Sequence, residues 1–148
     1  MTTDTQESLI TYLYNRLTSE VTLKTAMGGT VRCYMVWAKT DAAMPYLVHR
    51  LDMRPEGNGI WPERLATYTL DIWSYSAIAT EIIAIRKRIV ELLDQLLFNT
   101  TSNDVTNCYI ELLSDGFIPS GEPEIFHYSM VFNIHLWRQA ETVYIIGR

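Results

Sequence analysis

No stretch of this 148-residue sequence approaches the run of ~20 apolar residues that a membrane-spanning helix needs. Its opening, MTTDTQESL, has neither a basic n-region nor an apolar h-region, so no signal peptide and no membrane partner are expected. Cysteine is scarce. Cys33 and Cys108 are too few for a disulfide framework. Both lie among strand-forming residues and read as buried, reduced thiols, which suits a cytoplasmic site of synthesis. Basic residues are also short, with 12 Lys and Arg against 17 Asp and Glu and a formal net charge of -5. Broad nucleic-acid binding calls for clustered Lys and Arg. An acidic surface instead lets DNA pass without sticking.

The signatures of catalysis and cofactor binding are missing too. Gly28-Gly29 and Gly57-x-Gly59 lack the flanking pattern and the lysine of a phosphate loop, and there is no GxSxG, HExxH or CxxC. His127 and His135 would share one strand face but stand roughly 26 Å apart along it, too far to ligate one metal together. His49 could approach one of them across a sheet, and the histidines read as surface or interface residues. Asp71 with Glu81, and Glu122 with Glu124, are the candidate carboxylate pairs; nothing places either in a cleft, and they read as solvated charges. Arg86-Lys87-Arg88 precedes Glu91 and Asp94 on one helical stretch and reads as a self-neutralising wet face. The expectation is a non-enzyme with no cofactor and no metal.

What is present is periodicity. Leu9, Leu13 and Leu17, with Ile10 and Tyr14 beside them, predict a helix over 5–19. VRCYMVWA predicts a strand over 31–38, and Met44-Pro45 opens another over 46–54. In that second strand Leu47, His49, Leu51 and Met53 share one face and Tyr46, Val48, Arg50 and Asp52 the wetter one. A third strand spans 64–75, with Tyr68, Leu70 and Ile72 to one side and Thr67, Thr69, Asp71 and Trp73 to the other. Ile78, Ile82, Ile85, Ile89, Leu92 and Leu96 predict a long helix over 77–98, with Ser76 as its N-cap. A strand over 107–114 and a Gly/Pro/Ser loop over 115–123 follow. The alternation in 126–137 then places Phe126, Tyr128, Met130, Phe132, Ile134 and Leu136 on a core face. Val143 to Ile146 is a last strand or an arm for a neighbour. The whole chain, 1–148, reads as one α+β domain: an antiparallel sheet with two main helices on one face.

The stretch RPEGNGIWPER, residues 54–64, forms the long tip of the 46–54/64–75 hairpin and carries Ile60, Trp61 and Pro62. These residues either fold back over the protein's own core or anchor another subunit, where tryptophan is enriched at hot spots. Trp73, Tyr75 and Trp137 add large aromatics to the wet strand faces, which suggests a protein that associates. The candidate interface residues are therefore Asn58, Ile60, Trp61, Pro62, Trp73, Tyr75 and Trp137.

The order of elements also carries a resemblance. A Leu-x-x-x-Leu helix is followed by MPYLVHRLD, a variable loop, YTLDIWSYS and the long helix AIATEIIAIRKRIVELLDQLL. This pattern over residues 5–98, with the strand 126–137, resembles the tail terminator, or tail-completion, proteins of long-tailed bacteriophages, the minor tail protein U type. The resemblance implies a structural virion protein that forms a six-subunit ring on the last ring of the tail tube. It stops tube growth and meets the head connector protein, with DNA passing through an acidic and polar lumen. The tip around Trp61 would contact a neighbouring subunit or the next ring, and strand edges with Trp73 and Tyr75 would pack between subunits. The alternatives are another neck or head-completion protein, or a small ligand-binding domain with a pocket lined by Tyr68, Tyr128 and Phe132.

Overall fold

A computed structural model describes residues 5–54, 63–75, 79–99 and 107–137. The leucine repeat at its start forms α1 (Thr5–Thr18), and Leu9, Leu13 and Leu17 are fully buried. A second, shorter helix, α2 (Val21–Ala26), was not legible in the sequence. Glu20 caps it, its carboxylate accepting from the Thr22 hydroxyl at 2.8 Å, and these bonds hold the Glu20 carboxyl below its usual range. Gly29, at φ 112°, ends it by donating to the Lys24 carbonyl at 2.7 Å, a left-handed position that suits glycine.

Six strands follow among the described residues: β1 (Cys33–Met35), β2 (Tyr46–Arg54), β3 (Glu63–Tyr75), β4 (Leu96–Phe98), β5 (Asn107–Ile118) and β6 (Ile125–Trp137). The helix α3 (Ala79–Leu93) lies between β3 and β4 in the chain. They form one sheet in the order β1-β2-β3-β6-β5-β4. The expected all-antiparallel sheet is corrected to a mixed one: β1 runs parallel to β2, and every other neighbouring pair is antiparallel.

Three boundaries differ from the sequence reading. The strand expected over 31–38 is only three residues long, because Val36 turns the chain at φ 65°. The helix expected to reach residue 98 stops at Leu93. Gln95 takes φ 62°, and Leu96–Phe98 becomes an edge strand on β5. The Asp94 side chain accepts the Leu112 amide at 2.8 Å and ties this corner to β5. Finally, the loop expected over 115–123 begins later, since β5 runs on to Ile118. The long partner β6 keeps offering pairing groups, and a bulge between Leu112 and Ser114 absorbs the register shift.

The core is a single cluster. Ala66, Tyr68, Leu70 and Ile72 of β3 meet Met130, Phe132, Ile134 and Leu136 of β6. Leu47 and Leu51 of β2 and Cys108 and Ile110 of β5 flank them. The apolar stripes of α1 and of α3 (Ile82, Ile85, Ile89, Leu93) join the same cluster. All these strand residues lie on one face of the sheet, because side chains alternate along a strand. The other face is the outer face, and it carries the candidate site.

Candidate functional site

On the outer face the register brings Tyr46, Trp73 and His127 side by side across β2, β3 and β6. Trp73 and His127 stack with ring centroids 3.9 Å apart and planes 11° from parallel. Tyr46 lies 6.4 Å from Trp73, and Tyr34 of β1 meets Tyr46 edge-on at 5.9 Å. Four rings thus cross four strands in a row, each adding offset or edge contact to its neighbour. One position along, Asp71 Oδ1 sits 3.1 Å from His127 Nε2, close but out of line for a straight hydrogen bond. A second aromatic group occupies the far end of the same face. His135 stacks with Trp137 at 6.1 Å and tilts against Tyr109 at 6.0 Å, and its Nε2 lies 3.6 Å from Glu111 Oε1.

The expected interface residues divide as follows. Trp73 and Trp137 are half-buried on the outer face, in different aromatic groups, and Tyr75 is exposed at the end of β3. The structure does not bring these three into one cluster. Asn58, Ile60, Trp61 and Pro62, and the tail segment 143–146, lie outside the described residues. One residue that the sequence reading missed is the most exposed large aromatic among those described. Trp37 is 82% exposed in the segment after β1. VRCYMVWA carries no sign that Val36, a β-branched residue, would adopt a left-handed backbone, so Trp37 read as part of a strand. Further exposed apolar side chains mark the two sheet edges: Met35 and Val36 beside β1, and Leu97 on β4.

The remaining candidates are structural. His49 lies on the core face, opposite His127 and His135, so it cannot approach either across the sheet as the sequence reading allowed. Its Nδ1 shares a hydrogen bond with the Tyr68 hydroxyl at 2.7 Å, and burial pushes its pKa down to about 4. Burial likewise pushes Tyr68 well above the usual tyrosine range and both cysteine thiols up to about 12, which makes them poor nucleophiles. Asp71 and Glu81 are not a pair: Asp71 is on the outer face, while Glu81 accepts from Ser74, a buried core-face residue, at 2.7 Å. Among the described residues no three His, Cys, Asp or Glu side chains are grouped to hold a metal.

The basic run is dispersed. Arg86 reaches across to Asp115 at 2.6 Å, Arg88 pairs with Glu91 at 2.9 Å, and Lys87 is exposed. Tyr128 also donates to Asp115, at 2.6 Å. Burial alone would raise the Asp115 carboxyl, but these two donors outweigh it and hold it below the usual carboxylate range. The alternative of a ligand pocket lined by Tyr68, Tyr128 and Phe132 is not met, because these side chains pack into the protein itself. Tyr68 and Phe132 are fully buried with rings 6.2 Å apart, and Tyr128 packs edge-on against Phe117 at 4.8 Å.

No family model matches the chain. No curated protein matches it. Solved structures do share its fold. A chain from the virion of a native gene transfer agent particle superposes with a TM-score of 0.69 at 12% identity, covering 84% of this chain and 91% of that chain. A second solved structure superposes with a TM-score of 0.64, also at 12% identity, covering 92% of this chain and 99% of that one. At such identity the likeness is one of fold.

Proposed function

We propose that this chain is a structural protein of a phage-like virion and acts as a tail terminator. In this reading 1–148 is a single unit with both main helices on the core face of the sheet. Six copies form a ring at the head-proximal end of the tail tube, end its polymerisation and join it to the head connector. The observation that carries the reading is the fold likeness to a virion chain over nearly its whole length. The order of helix, hairpin and helix described above supports it independently.

The surface chemistry suits a ring. Short edge strands, β1 and β4, bound the sheet at opposite sides, and both carry exposed apolar side chains. A head-to-tail contact between unlike surfaces closes into a ring when the rotation allows, and every copy then buries its patch. Trp73, Tyr75 and Trp137 and the tip around Trp61 are the side chains assigned to subunit or ring contacts. The acidic balance lets DNA thread the lumen without sequence-specific binding. The neck could equally use this fold as another completion protein, so position on the particle is part of the test. The first test is the mass of the purified protein by light scattering. A hexamer supports the ring, or a monomer that assembles on added tail tubes. A monomer that ignores tubes contradicts it.

A further inference from the structure

The chain leaving β1 runs along the outer face and borders an open recess of about 380 Å³ with it. Trp37, Lys39 and Thr40 wall it from the loop side, and Tyr46, Asp71 and Trp73 from the sheet. Trp37 is 82% exposed and offers a free aromatic face, whereas Trp73 has one face taken by His127. Asp71 is three-quarters shielded, and no lysine or arginine among the described residues lies within ion-pair distance of it. Its one ionic neighbour there is His127, whose Nε2 is out of line for a hydrogen bond. A shielded carboxylate and an open indole on the walls of one recess call for a cation that can also stack. Guanidinium does both, since it pairs in a plane with carboxylates and lies flat on aromatic rings.

We infer that this recess receives an arginine side chain presented by a partner protein, with Asp71 as the charge partner and Trp37 as the stacking face. The donor is assigned to a different protein from the engagement of this chain's described arginines; the side chains of Arg54, Arg64, Arg138 and Arg148 lie outside those described. The arginines whose side chains are described are all engaged: Arg16 with the Leu92 carbonyl, Arg32 with that of Ala43, and Arg50, Arg86 and Arg88 with carboxylates. Lys39 is a like charge at the rim, but it is exposed, and water screens it.

The site can be tested without any assembly, so its failure and that of the terminator reading are distinguishable. Nα-acetyl-arginine methylamide is titrated into the purified protein while tryptophan fluorescence is followed. The uncharged citrulline analogue serves as the control. The arginine probe is expected to bind saturably and the citrulline probe not. Asp71→Asn and, separately, Trp37→Ala should each weaken binding roughly tenfold, the scale of one lost charge-assisted or stacking contact. Trp37 is so exposed that its variant should melt as the parent does, which keeps the test valid if Asp71→Asn unfolds. Equal binding of the citrulline probe, undiminished binding by both variants, or no saturable binding overturns the inference. So does weaker binding by Lys39→Ala, because removing a like charge from the rim should leave binding of a cation unchanged or strengthen it. A fall in the protein's own oligomeric mass on adding the arginine probe would overturn the assignment of the donor to a different chain.

Discussion

Phe132 is fully buried and packs against Tyr68, on the face that the alternation in 126–137 marks as core. Phe132→Ala should lower unfolding free energy by about 3–5 kcal/mol, as for other buried aromatics truncated in a packed core. Denaturant titration reads this directly, and a near-neutral result would mean that the site collapses or is not core. Close by, His49 gives the fold a pH signature. Its pKa falls from 6.5 to about 4 on folding because burial disfavours the charged ring. Below about pH 6.5 the unfolded chain takes up a proton that the folded chain refuses until about pH 4. Stability from this residue is therefore present above 6.5 and lost on the way down to 4, by about 3 kcal/mol in all. Compared with His49→Gln, the parent should lose stability faster across that window. A stability difference between the two that stays constant with pH would contradict the assignment.

Elements were legible where one periodicity persisted without a competing signal. The strand 46–54 falls where the alternation of Leu47, His49 and Leu51 put it, and α1, β3 and β6 agree within a residue at each end. The failures share a physical cause: local pattern yields to long-range pairing. Leu96 continues the spacing of Ile85, Ile89 and Leu92 in sequence, yet Gln95 reverses the backbone and β5 recruits Leu96–Phe98 as an edge strand. Asp115 and Gly116 look like turn residues, but β6 is long enough to hold them in the sheet. The site was half legible. Trp73 and Trp137 were placed on the outer face by alternation. The stacking of Trp73 on His127 and the exposure of Trp37 depend on register and on one unforeseen turn. The corner at Asp94-Gln95 makes two predictions. Gln95→Gly should stabilise by up to about 1 kcal/mol, since glycine adopts φ 62° without the side-chain penalty. Asp94→Ala should cost about 1–3 kcal/mol, because the Leu112 amide loses its acceptor beside the bulge. Thermal melts of both variants check the pair; a Gln95→Gly variant that melts below the parent, or an Asp94→Ala variant that melts no lower than it, would show that another contact governs the corner.

For the whole molecule, the account is of a sheet with one face spent on the core and the other left for neighbours. Helix residues join the core cluster, while two aromatic groups and two short edges remain toward the outside. Trp61→Ala should leave the melting temperature unchanged and weaken assembly. A drop as large as that of Phe132→Ala would assign the tip to the protein's own core. The central claim, that this protein ends a tail tube, is tested most directly by polymerising tail tube protein with and without it and imaging the products. The account predicts ring-shaped density on one end of each tube and no growth beyond that end. Tubes that lengthen equally in both samples, with bare ends, would contradict it.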